Sequence, residues 1–243
     1  MASLSVLKAD LTPIYNSGLK SMYVFNSNLA VTNGGCCCLW TVPDGVTNVT
    51  FELWGGGGAG AGARCCQASR YGATGGMYTT RTIRTTAGCT YTLCAGGSNT
   101  CSSACQGCQG CTTYVTGSGI ATTCAVGGQG GSTGCSLLYG SACCTPCVVW
   151  NGGGGDFCQP SARGQPFKVI GCLSTARDFN GGAYQVGTFS GTRNYCLNTI
   201  YCDACCWGYA AFPAGPGINA IVSSGVCRCG TPGMGGMIKV TYG

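Results

Sequence analysis

The chain has 243 residues, with 45 Gly, 24 Cys, 12 Lys and Arg and only 6 Asp and Glu, for a net charge of +6. Charged residues at 7%, against about a quarter in an ordinary soluble domain, exclude a solvated disordered tail, and so much glycine with so little Glu and Lys excludes long helices. His is absent, which removes the commonest general base and nitrogen metal ligand; with no Gly-X-Y repeat and no apolar run of roughly 18 residues, neither collagen nor a spanning helix is expected.

Residues 1–35 alternate short apolar clusters (Leu4, Val6 and Leu7, then Met22 to Phe25) with the turn residues Pro13, Asn16 and Gly18. They read as a strand or two, or as an arm docking on a neighbour. Lys8 and Asp10 interrupt the apolar stretch a secretory signal needs, so none is expected. Residues 36–243 form the glycine- and cysteine-rich domain. Within it Leu39 to Val42 is a short strand and Pro43-Asp44-Gly45 a turn. Val46 to Trp54 is a strand whose Val49, Phe51 and Leu53 share one face. A polyglycine run from Gly55 to Gly62 follows. Gly75 to Ile83 reads as a strand, Thr86-Ala87-Gly88 as a turn, Thr90 to Leu93 as the next strand and Gly233 to Tyr242 as the last. Further glycine clusters stand at Gly127 to Gly131, Gly152 to Gly155, Gly181-Gly182 and Gly215 to Gly217. They serve either as flexible loops or as polyproline-II-like segments packed where no Cβ intervenes. Packing is preferred, because that many disordered clusters would cost too much entropy. The fold class expected is an all-β, jelly-roll-like β-sandwich with long glycine-rich loops or packed polyglycine segments.

This order of text resembles the glycine-rich domain of tail-fibre and other virion structural proteins of tailed bacteriophages. That family runs from a strand through a VPxGV turn, a strand ending in an aromatic, and a polyglycine run. A GGxY strand, an xxGxTYTxxxG hairpin and a terminal GGxIxVxY strand follow. The corresponding pieces are Thr41 to Val46, Val49 to Gly58, Gly75 to Arg81, Ala87 to Gly96 and Gly235 to Tyr242. The resemblance implies a structural subunit of a phage fibre, tail appendage or capsid surface. Its partners would be copies of itself and other virion proteins, and its location the virion.

Cysteine at close to 10% of the chain is the density of a disulfide scaffold. The candidates are Cys36, Cys37, Cys38, Cys65, Cys66, Cys89, Cys94, Cys143, Cys144, Cys147, Cys202, Cys205, Cys206, Cys227 and Cys229. Neighbouring cysteines in a strand point to opposite faces, so each would bridge a different partner. Buried free thiols are the second reading. A structural metal is the third, on the C-x3-C-x2-C-x2-C run of Cys101, Cys105, Cys108 and Cys111.

Other motifs carry less. Gly55-x-Gly57-x-x-Gly60 matches a dinucleotide fingerprint, but no helix pattern follows and the next acid after Glu52 is Asp156. A catalytic Cys would lack a His, and the six acids suggest no glycosidase pair, Asp44 belonging to a turn and Glu52 to the solvent side of a strand. The Asn48-Val49-Thr50 sequon falls inside a strand. No enzyme activity and no cofactor is therefore expected, and the scattered basic residues suggest no nucleic-acid partner. Tyr71, Trp150 and Trp207, beside glycine loops, are candidate recognition residues able to stack on sugars. They carry an alternative function: a host-receptor adhesin contacting surface glycans. Trp40 and Trp54, at strand ends, are expected in the core.

Overall fold

The computed structural model describes residues 4–9, 18–26, 35–61, 69–71, 73–97, 107–133, 155–159, 213–215 and 232–243. Among the described residues there are strands and no helix. In chain order they are β1 (Leu4–Ala9), β2 (Lys20–Asn26), β3 (Cys36–Thr41), β4 (Asn48–Trp54), β5 (Ser69–Tyr71), β6 (Tyr78–Arg84), β7 (Thr90–Ala95), β8 (Thr113–Gly117), β9 (Ile120–Ala125), β10 (Ser132–Thr133), β11 (Phe157–Gln159) and β12 (Met237–Tyr242). A six-stranded sheet has the order β1-β2-β12-β4-β6-β11, a four-stranded sheet the order β3-β7-β8-β9, and β5 pairs with β10. Every pairing is antiparallel. The two larger sheets pack face to face as a sandwich, β2 and β12 lying over β7, and β4 over β8 and β9.

Alternation builds the core. In β4, Val49, Phe51 and Leu53 are fully buried while Asn48, Thr50 and Glu52 face outward. From the facing sheets come Val24, Ile83, Ile238 and Val240 on one side, and Trp40, Tyr91, Leu93 and Val115 on the other. Trp40 meets Phe51 edge-on at 6.3 Å and lies 5.5 Å from Tyr242. Trp54 is buried too, but period-two geometry turns it to the opposite face from Leu53. There it joins Tyr78, Met237 and Ala214 in a second, smaller cluster.

The turns at Pro43–Gly45 and Thr86–Gly88 are corners between sheets. The second was expected to close a hairpin, yet β6 and β7 belong to different sheets. The chain must cross the core there because each flanking strand buries one face against the other sheet. The corners are stitched together: Gly88 N–H donates to the Val42 carbonyl at 3.0 Å and Val42 N–H to that of Cys89 at 2.9 Å. The β8–β9 hairpin, turning at Gly119 with φ +72°, had no counterpart in the sequence reading.

Candidate functional site

At Trp54 the strand β4 ends, but its chain continues straight into 55–61, where Gly55 to Ala61 are all buried. Buried backbone without a ladder must find partners for its amides, and here those of 55–59 find them in three neighbouring segments in turn. Gly55 and Gly58 donate to Met77 and Thr74, at 2.9 and 3.0 Å. Gly56 and Ala59 donate to Cys111 and Cys108, both at 2.9 Å, and Gly57 donates to Met234 at 2.7 Å. The donor direction thus returns to the same neighbour every third residue, the signature of an extended helix with three residues per turn. Gly128 and Gly131 close a further side by donating to the Gly56 and Ala59 carbonyls. Segment 55–61 is therefore the axis of a lattice whose outer members are 73–77, 107–111, 126–131, 213–215 and 232–236.

Only glycine permits that spacing. A methyl group built on Gly57 would run into the Gly215 carbonyl, one on Gly58 into that of Gln129, and one on Gly76 into that of Gly55. These are backbone atoms, so no side-chain rotation relieves the clash. Buried hydroxyls complete the hydrogen bonding. Thr113 Oγ1 donates to the Trp54 carbonyl at 2.7 Å and accepts from Gly96 N–H at 2.9 Å, tying sandwich to lattice. Thr74 Oγ1 accepts from Gln129 N–H at 2.7 Å. Sequence reasoning passed over both threonines; Thr74 directly precedes Gly75-Gly76, the available signal there, while nothing in the residues around Thr113 marks it.

The sandwich and the lattice are joined end to end. β4, β6, β8, β9 and β12 all run without a break into lattice segments. At the far end, where Ala59 meets Cys108 and Gly131, residues 73 and 131 lead into β5 and β10, which pair Tyr71 with Ser132. The strand that carries Tyr71 thus stands opposite the sandwich. Trp150 and Trp207 lie outside the described residues.

Of the cysteine candidates, Cys37 and Cys94 form a disulfide between β3 and β7, facing one another directly across the ladder. Cys36, Cys38 and Cys89 are free thiols. Cys36 and Cys38 point from β3 toward the core, and burial pushes their pKa up, that of Cys38 further through the neighbouring Cys36. Cys89 is pulled down by hydrogen bonds, first from the Thr86 hydroxyl 3.3 Å from its sulfur, then from Thr86 backbone, Thr85 and Ser118. Cys124, not singled out in the sequence, is raised by burial and by the nearby Cys158. Cys65, Cys66, Cys143, Cys144, Cys147, Cys202, Cys205, Cys206, Cys227 and Cys229 lie outside the described residues. So do Cys101 and Cys105; Cys108 and Cys111 belong to the lattice, where their carbonyls receive Ala59 and Gly56.

On the outer face of the six-stranded sheet, Glu52 accepts from Lys239 at 2.9 Å and from the Tyr78 hydroxyl at 3.0 Å. Burial, then the Glu52 charge, holds the Tyr78 hydroxyl well above its ordinary pKa. Glu52 is thus partnered within its own sheet. Compared with protein-family models and with curated proteins, the chain has no match.

Proposed function

We propose that the chain is a structural subunit of a bacteriophage virion, part of a fibre, tail appendage or capsid surface, that assembles into a stable oligomer. The observation that carries this reading is the lattice. Its interior is backbone against backbone, with buried amides satisfied on several sides at once, an arrangement suited to bearing load without relying on charge or on a large apolar core. Its axis, 55–61, follows the strand Asn48–Trp54 and precedes the strand Tyr78–Arg84, the position of the polyglycine run in the domain this chain resembles. The sparse charge favours association over a solitary soluble state. The test is direct: antibodies against the chain should decorate purified phage particles in electron micrographs, and peptides from it should appear in the particle proteome. Its presence in infected cells but absence from purified particles would end the proposal.

A second reading, a host-receptor adhesin contacting surface glycans, draws on the position of the Tyr71 strand at the end of the lattice away from the sandwich. Binding of the purified oligomer to a glycan array, lost on Tyr71→Ala, would favour it; an array without signal favours the purely structural role.

A further inference from the structure

The four strands β3, β7, β8 and β9 contain no Asp, Glu, Lys or Arg. Their outward face carries a row of hydroxyls beside the exposed Leu39, next to a row made by the Cys37–Cys94 disulfide and the half-buried Tyr114. Leu39 stands 70% exposed, with Thr92 opposite it on β7 and Thr116 opposite Thr92 on β8. Thr122 continues the row, its hydroxyl 3.4 Å from that of Thr116, and Thr41 and Thr90 form an adjacent exposed pair. Solvent-facing sheets ordinarily carry charge, and edge strands such as β3 especially so, to prevent association. The opposite sheet does carry it, in Glu52, Lys239 and Arg84.

We infer that this uncharged face of the four-stranded sheet is where a second copy of the chain docks, face to face, around Leu39. The proposal rests on the reading of the chain as an assembling subunit and names the surface that assembly uses. Two features of the molecule select a second copy as the occupant. Each chain carries a net charge of +6, so identical copies repel through any face that bears that charge, and this one bears none. Threonine hydroxyls both donate and accept, so a row of them is complementary to its own image under a two-fold axis, the commonest symmetry of homo-oligomers. Four strands of about six residues span a patch of roughly 19 by 20 Å, or about 400 Å² per copy. That is about 800 Å² in total, half the standard size and in the range of weak, transient contacts, so the contact is expected to be concentration-dependent, with the exposed Leu39 at its centre.

Analytical ultracentrifugation of the full chain across a concentration series tests this. The expected result is reversible association of the wild type, weakened at least tenfold by Leu39→Asp and by Thr122→Lys. Thr82→Lys, on the exposed outer face of the other sheet, should leave association unchanged. Leu39 and Thr122 project into solvent, so both variants should keep the wild-type circular dichroism spectrum and melting temperature. Wild-type association that neither variant weakens overturns the choice of face while leaving the assembly reading intact. A wild type that stays monomeric throughout overturns both, even if another virion protein or a glycan then binds the face.

Discussion

Cys89 and Cys36 lie in the same sandwich but in opposite electrostatic settings. The Thr86 hydroxyl and its neighbours stabilise the Cys89 thiolate, whereas burial disfavours ionisation of Cys36 and Cys38, and of Cys124 on β9. Because the thiolate is the reactive species, iodoacetamide at pH 8 should label Cys89 in the folded protein well before Cys36, Cys38 or Cys124. Peptide mass spectrometry over a time course reads the order; equal rates would show that these settings do not govern reactivity. The same shifts make stability depend on pH, with a definite sign. Below the ordinary thiol pKa of 9.0, the raised thiols are protonated in both folded and unfolded chains. As pH rises past it, the unfolded thiols ionise first, the folded state binds more protons, and stability falls. Tyr78, raised in the same direction, adds to the loss at still higher pH, while Cys89, shifted the other way, opposes it. The urea midpoint should therefore be lower at pH 10 than at pH 8. An unchanged or higher midpoint would contradict the burial of these groups.

At the scale of elements, two glycines separate two kinds of requirement. Gly45 turns the corner between β3 and β4 with φ +80° in open space, so Gly45→Ala meets only the left-handed backbone penalty, about 1–2 kcal/mol. Gly57 has neighbours of backbone on the lattice axis, and Gly57→Ala is expected to cost about 3 kcal/mol or more, since the obstructing Gly215 carbonyl has nowhere to go. Thermal melting of the two variants should rank them in that order. The Cys37–Cys94 bridge between β3 and β7 closes 57 residues of sequence separation and should contribute on the order of 2–4 kcal/mol. The double change Cys37→Ser with Cys94→Ser should lower the melting temperature, and reductant should then lower it less than in the wild type. The strands around the lattice were largely legible, because Val49, Phe51 and Leu53 alternate cleanly and Pro43-Asp44-Gly45 marks a corner. β8 and β9 were not: Thr113–Gly117 and Ile120–Ala125 are rich in Thr and small residues, so their faces differ little in hydropathy. The packing of glycine segments could be anticipated from entropy, but their partners could not, since glycine has no side chain with which to record which neighbour it meets. Cysteine pairing was illegible for a related reason: adjacent Cys36, Cys37 and Cys38 look alike, and only strand register brings Cys37 opposite Cys94.

For the molecule as a whole, the decisive feature is that the glycine lattice has no boundary with the sandwich. Five strands drawn from both sheets continue into it, and Thr113, Gly96 and Gly236 bind the junction, Gly236 N–H donating to the Gly96 carbonyl at 2.8 Å. Withdrawing any one lattice segment would strip hydrogen bonds from two or more others, each buried amide left unpaired costing about 1–3 kcal/mol. Opening of the lattice alone is thus about as costly as unfolding the sandwich with it, although the lattice buries almost no large apolar side chain. Native-state hydrogen exchange resolves such units by their opening free energies. The amides of Gly56, Gly57 and Ala59 should exchange with the same free energy as those of Phe51 and Leu53, and all should fall together in Gly57→Ala. Markedly faster exchange in the glycine segments would make the lattice an appendage that opens by itself, and a part of that kind could not carry load along the axis of a fibre.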